Sequence, residues 1–168
     1  GCDIHENSAL LKWSFDKGEF HKRSFRITNG TYHKLIRSIQ EEAETAGAEE
    51  IIFAYEASVM GFGLYDDLTA EGITCHVLAP TKMSRSPKQR RQKCDEKDAD
   101  NILRILRGHV LAGNDLPSIW IPDPKTRHDR TIVRRRLQLS KARTRVKCQI
   151  RMILKKSRIK STASPGII

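Results

Sequence analysis

Hydrophobic and polar positions alternate at the start of the chain. Leu11, Trp13 and Phe15 are interleaved with Lys12, Ser14 and Asp16, the two-residue period of a half-buried strand. Asp16-Lys17-Gly18 is a turn signal; Phe25 and Ile27 then alternate with Ser24 and Arg26, and Asn29-Gly30 closes the pattern. Residues 1–28 therefore predict three short antiparallel strands, the first around Asp3-Ile4. From Thr31 the period lengthens. Tyr32, Leu35, Ile36, Ile39, Ala43 and Ala46 share one helical face, with Thr31 as the expected N-cap and Gly47 as the stop. Ile51-Ile52-Phe53-Ala54-Tyr55 is a continuous apolar run, the mark of a strand buried on both faces, and Glu56 follows it directly.

Phe62, Tyr65 and Leu68 predict a short helix closed by Gly72, and residues 73–79 a second buried strand stopped by Pro80. Strands alternating with helices imply right-handed crossovers and a parallel pair. Residues 81–93 carry three Arg and three Lys without apolar period. Ala99, Ile102, Leu103, Leu106 and Val110 then define a helical face ended by Gly113-Asn114. Ile119-Trp120-Ile121, in a connector, predicts a short packed strand. From residue 127 to about 156 there is neither Pro nor Gly. Ile132, Leu139, Ala142, Val146, Ile150 and Ile153 form a narrow seam there, as in a coiled coil or a long helical arm. The order is β-β-β-α-β-α-β-α followed by the arm.

Composition adds the kind of partner. The 168 residues, 38% of them hydrophobic, fit one domain plus an appendage. No apolar run approaches the ~18–20 residues of a membrane span, so no membrane partner is expected. The net charge of +11 favours nucleic acid or another polyanion over a neutral metabolite. It is concentrated in residues 127–160, with 14 Lys or Arg against one acid, Asp129. Solvated helices usually mix signs, and this one hardly does. Cys2, Cys75, Cys94 and Cys148 lack the Cys-x-x-Cys spacing of a zinc site, and the start does not read as a secretory signal. Free thiols in a reducing cytoplasm are expected. The chain begins without Met, which fits a processed, trimmed or partial protein.

Candidate chemistry gathers at Lys93-Cys94-Asp95-Glu96-Lys97-Asp98-Ala99-Asp100, a carboxylate cluster opening a helix directly after a basic loop. Carboxylates collect divalent cations and Lys or Arg collect phosphates, which together point to phosphodiester chemistry. Asp95 and Asp98 are three apart and share a helix face. Asp3 lies in the first strand and Glu56 ends the fourth, and functional groups of open α/β sheets gather at strand ends. If the helix packs over the sheet, four carboxylates converge, enough to hold two hard cations. The plainer alternatives are an edge-strand Asp3 and a helix first turn whose dipole favours Asp95 and Asp98. Asp100 faces elsewhere and is expected to be solvated. His5 is either a base or ligand near Asp3 or a surface strand residue, and His76 is expected at the core or rim.

These residues resemble a known family. Gly1-x-Asp3-Ile4-His5, Tyr55-Glu56-Ala57-Ser58 with Gly61-Phe62, Leu64, Leu68 and Gly72, Cys75-x-Val77-x-Ala79-Pro80, Lys93-x-Asp95-x-x-Asp98-Ala99 and Trp120-x-Pro122 follow the order and spacing of the N-terminal RuvC-like domain of DEDD insertion-sequence transposases. The run from Val133-Arg134 through Lys147, Ile150 and Leu154 is similar to that family's basic helical region.

The resemblance implies an α/β, RNase H-like (RuvC-like) fold: a mixed five-stranded sheet flanked by helices, with a long basic C-terminal helical arm. Residues 1–115 would form that domain, 116–126 a connector, 127–160 the arm and 161–168 a linker or chain end. It implies catalytic, metal-binding roles for Asp3, Glu56, Asp95 and Asp98, with Mg²⁺ (or Mn²⁺) as cofactor, in DNA strand cleavage and joining for transposition and recombination. Phosphate contacts would come from Lys82, Arg85, Lys88, Arg90, Arg91 and Lys93 of the loop. On the arm they would come from Arg134, Arg135, Arg136, Lys141, Arg143, Arg145, Lys147 and Arg151. DNA, a structured guide RNA and a second protomer are the implied partners. The family has Thr where this chain has Cys94, and it continues into a C-terminal domain carrying a nucleophilic serine, which Ser157, Ser161 and Ser164 do not match. A fragment or a remnant unable to complete transposition is therefore expected. The alternatives are a non-catalytic nucleic-acid-binding fragment and a stand-alone Holliday-junction-resolvase-like nuclease.

Overall fold

The computed structural model describes residues 1–29, 31–83 and 94–160. The chain divides into two compact units, Gly1–Trp120 and Ile121–Ile168.

The first unit is built on one sheet. Strands β1 (Cys2–Ile4), β2 (Ser8–Trp13), β3 (His21–Arg26), β4 (Ile52–Glu56) and β5 (Thr74–Leu78) lie in the order β3-β2-β1-β4-β5. The first three pair antiparallel, as their alternating pattern predicts, and β1-β4 and β4-β5 pair parallel. Among the described residues, helices α1 (His33–Ala46), α2 (Gly63–Ala70) and α3 (Asp95–Ala112) accompany the sheet, which gives the expected mixed five-stranded α/β architecture.

Each sheet face is covered. Cys2, Leu11, Phe53, Tyr55 and Val77 are buried on one, where α1 supplies Leu35, Ile36 and Ile39 and α2 supplies Leu64 and Leu68. Ala54 and Leu78 on the other face pack with Met83 and with Ile102 and Leu106 of α3. This two-sided burial is why β4 reads as an unbroken apolar run. Gly1 lies on the α3 face, where a Cβ would come within 2.5 Å of the Leu103 backbone nitrogen.

Several boundaries differ from the pattern. Thr31 does not cap α1: its hydroxyl donates to the Thr28 carbonyl, 3.0 Å away, and Tyr32 takes the cap position without a side-chain bond. Gly47, in the left-handed region at φ 64°, ends α1 as expected. Val110 is exposed rather than packed. Leu103 already lies over Gly1, where the sheet begins, so the turn bearing Val110 runs roughly 10 Å further along the helix. Ile119-Trp120-Ile121 is not a packed strand. Pro117 and Pro122 bracket it, and proline cannot donate to a ladder. What remains is one isolated bridge, Leu78 to Ser118, and Trp120 is 73% exposed.

Lys12 departs furthest from the alternation. Alternation with Leu11 and Trp13 places it on the solvent face, yet its side chain is only 11% exposed. It lies on the face that α3 covers, and its ammonium meets Asp100 Oδ1 at 3.3 Å and Glu96 Oε1 at 3.5 Å. Lys22 from β3 reaches the same Glu96 oxygen at 2.9 Å. Beyond them, Arg104 and Arg107 of α3 stack on Phe20, 5.2 and 4.9 Å from the ring centre.

In the second unit, α4 (Pro124–Lys156) is 33 residues long, about 50 Å. It starts three residues before residue 127, because Asp123 caps it, its Oδ1 accepting from Thr126 N at 3.0 Å, and Pro124 occupies the first turn. No residue of α4 is buried within the chain. The expected linker at 161–168 lies outside the described residues.

Candidate metal centre

The site forms where β1 and β4 end beneath the start of α3. Cys2 pairs with Tyr55 across the parallel strands, so Asp3 and Glu56 are the next residues along each. Side chains alternate across a strand, which puts Glu56 on the face of Ala54, the face that packs against α3. The α3 helix runs back along the sheet from Leu103 over Gly1, so its N-terminal turn lies above the end of β1.

Asp3 and Asp95 meet there around His5, which follows β1. His5 Nε2 is 3.2 Å from Asp3 Oδ2 and 3.3 Å from Asp95 Oδ1. One donor atom from each of these three residues lies within 4.8 Å of the others. His5 is held by a turn in which its backbone N–H donates to the Ser8 carbonyl at 2.8 Å. Asp3 Oδ2 and His5 Nε2 are both buried atoms, and they meet in a close ion-pair contact rather than a well-formed hydrogen bond. Burial pushes the Asp3 carboxyl up from its ordinary value; His5 pulls it down, and the charges of Asp95 and Asp98 push it up again. Asp98 is half-buried, one turn along α3 from Asp95, and near enough for its charge to act on Asp3.

Carboxylates on α3 thus fall into two groups. Glu96 and Asp100 are engaged by cations of the sheet. Lys22 first, then Lys12, hold the Glu96 carboxyl below its ordinary range. Burial would raise Asp100, but hydrogen bonds from Arg104, at 2.6 Å, and from Lys12 outweigh it and hold the carboxyl down. Asp100 is therefore not the solvated residue expected, because a buried lysine lies beneath it. Asp95 and Asp98 occupy the other side of the same first turns and face Asp3. The hard-oxygen donors, the imidazole and the unsatisfied Asp3 oxygen fit a divalent cation.

Sequence reasoning left His5 as a strand residue of two possible roles. The signal was its position two residues after Asp3, which would point its side chain with Asp3 if the strand continued. His76, expected at the core or rim, is half-buried with its ring edge-on to His109, and burial first, then His109, lowers its pKa.

Of the expected phosphate-contacting residues, Lys82 is exposed just after β5, while Arg85, Lys88, Arg90, Arg91 and Lys93 lie outside the described residues. Arg134, Arg135, Arg136, Lys141, Arg143, Arg145 and Arg151 are exposed on α4, and Lys147 is half-buried. At 100° per residue the apolar seam keeps to roughly an 80° arc of α4, and of these eight cations only Arg135 falls inside it. All four cysteines are free; burial pushes the thiols of Cys2 and Cys75 up to about 12. Among the described residues no helix is long and apolar enough to cross a membrane.

Comparison with known proteins agrees with this architecture. A family model described as a transposase, of the DEDD type and IS110 kind, matches residues 1–159. The transposase for insertion sequence element IS1533 of Leptospira borgpetersenii is 28% identical over 109 residues, 64% of this chain and 30% of its own length. Two Sinorhizobium fredii proteins with transposase names are also similar. One, y4qE, is 36% identical over 92 residues, covering 55% of this chain and 22% of its own. The other, y4rJ, is 32% identical over 95 residues, covering 56% and 24%. The chain thus spans less than a third of the length of each of these relatives.

Proposed function

Since the chain belongs to the IS110 family of DEDD transposases, we propose that it is the metal-binding catalytic domain of a recombinase that cuts and joins DNA strands. The carrying observation is the convergence of Asp3 and Asp95, from opposite ends of the domain's sequence, at 3.2 and 3.3 Å from His5 Nε2. Asp3, Glu56, Asp95 and Asp98 would hold Mg²⁺, with Mn²⁺ as a substitute. When bound, a pair of such ions stabilises the attacking and leaving oxygens of an in-line phosphoryl displacement.

The chain's own residues do the rest. Asp3, rooted in β1, gives the site a buried and rigid oxygen, 14% exposed at the side chain. The first turns of α3 present Asp95 and Asp98 from above, and Lys12 with Lys22 holds those turns to the sheet through Glu96 and Asp100. Lys82 and the basic loop that follows it in sequence would neutralise phosphates entering beside the carboxylates. The α4 cations grip nucleic acid, both the DNA and a structured guide RNA, while the apolar seam, free of all but one of the eight, pairs with another protomer.

The test is strand cleavage and joining of element-end DNA by the full-length protein. Asp95→Asn or Glu56→Gln is expected to abolish Mg²⁺-dependent transfer and to leave nucleic-acid binding within about twofold; full activity in either variant overturns the assignment. Cleavage of branched DNA by this chain alone would instead favour a junction resolvase.

A further inference from the structure

Resting on that metal-site reading, we infer that His5 is itself a ligand of the cation, through Nε2, so that the centre has mixed oxygen and nitrogen donors and binds the substitute Mn²⁺ more tightly than Mg²⁺. The geometry is that of neighbouring ligands. A cation holding its donors at about 2.1 Å sets adjacent donors about 3 Å apart, and Nε2 lies 3.2 Å from Asp3 Oδ2 and 3.3 Å from Asp95 Oδ1. Nε2 and Asp3 Oδ2 are buried atoms that make no well-formed hydrogen bond and answer each other only through a close ion-pair contact. In native structures such atoms are rare and call for a ligand or ion.

Placement supports the same role. His5 is two residues beyond Asp3, and its backbone is pinned by the hydrogen bond to Ser8 as the chain turns from β1 into β2. The imidazole therefore hangs from the same rigid strand end as Asp3. Carboxylates suit Mg²⁺ and Mn²⁺ alike, but Mn²⁺, as a transition ion, also accepts an imidazole nitrogen, which Mg²⁺ takes poorly. The competing account is that His5 is a counter-ion, an imidazolium holding the two carboxylates together in place of a metal.

Titration calorimetry and pulsed electron paramagnetic resonance of this chain with Mn²⁺, with Mg²⁺ titrated in parallel, separate the two. In the wild-type protein a directly coordinated ¹⁴N is expected in the Mn²⁺ spectrum. His5→Ala is expected to remove that coupling and weaken Mn²⁺ by about tenfold or more while Mg²⁺ changes less than about threefold. His5→Gln covers the case in which the alanine variant fails to fold. Wild-type Mn²⁺ affinity in these variants, tighter binding as expected of a lost counter-ion, equal weakening of both ions, or no ¹⁴N coupling in the wild type overturns the inference. Asp95→Asn separates the two levels: metal lost there but unchanged in His5→Ala leaves the metal centre standing without its histidine. A wild-type chain that binds no Mn²⁺ removes both.

Discussion

The two long helices, α3 and α4, carry similar apolar stripes and meet opposite fates. On α3, Ala99, Ile102, Leu103 and Leu106 are buried against the sheet. On α4, Ile132, Leu139, Val146, Ile150 and Ile153 are all more than two-fifths exposed. Their charges differ in the same way. The α3 helix starts with Asp95, Glu96 and Asp98, which suit a helix N-terminus, and some of its carboxylates are answered by the sheet's lysines. The α4 helix is basic along most of its length. A periodic stripe therefore predicts a helix but not what covers it. The sheet decides that for α3, and among the described residues nothing buries the stripe of α4.

The contrast is testable, starting with the core. Ile102→Ala should cost about 2–5 kcal/mol in urea unfolding of the chain, whereas Ile150→Ala should stay within about 0.5 kcal/mol. Equal costs would mean that α4 is packed within the chain. Next comes the cation. Mn²⁺ at a hundred times its dissociation constant should stabilise the wild-type protein by about 2.7 kcal/mol, and Asp95→Asn should cancel most of it, read as a shift in melting temperature.

Removing the sheet's grip on α3 should be milder. Lys12→Met is expected to cost about 1–3 kcal/mol, because Asp100 and Glu96 lose a partner at half-buried and exposed positions respectively. Here pH gives a sign. The Asp100 carboxyl is depressed in the folded state, so its contribution is present above the unfolded value near about 3.9 and lost as pH falls through the folded one. Asp100→Asn should therefore destabilise at neutral pH and converge on the wild-type protein in acid. A local effect belongs to the α4 cap: Asp123→Ala should loosen the helix N-terminus, seen as fraying of the first turn by amide exchange.

Much of this was legible in the residues, and what was not has identifiable causes. The strand order and the stops at Gly47 and Gly113 follow from periodicity and from glycine's access to the left-handed region. Lys12 could not be placed, because alternation assumes one wet face, and β2 has α3 over the face that looked polar. Asp100 has a local partner in Arg104, four residues on, but Lys12, which lies beneath it, is 88 residues away and beyond any local pattern. His5 had a local signal, its spacing from Asp3, but the meeting with Asp95 depends on how far α3 slides along the sheet. The α4 start was missed although Asp123-Pro124 is a plain N-terminal signature.

That sliding distance returns attention to Gly1. A methyl group there would press on the Leu103 backbone, which nothing but a shift of the helix could relieve. Residue 1 thus works as a spacer of zero thickness beneath α3, setting how closely Asp95 and Asp98 descend on Asp3. Gly1→Ala should behave in a mutational scan like the loss of an active-site residue, with metal affinity reduced in a protein that still folds. The tolerance map of this domain would then show a sensitive position that carries no side chain of its own.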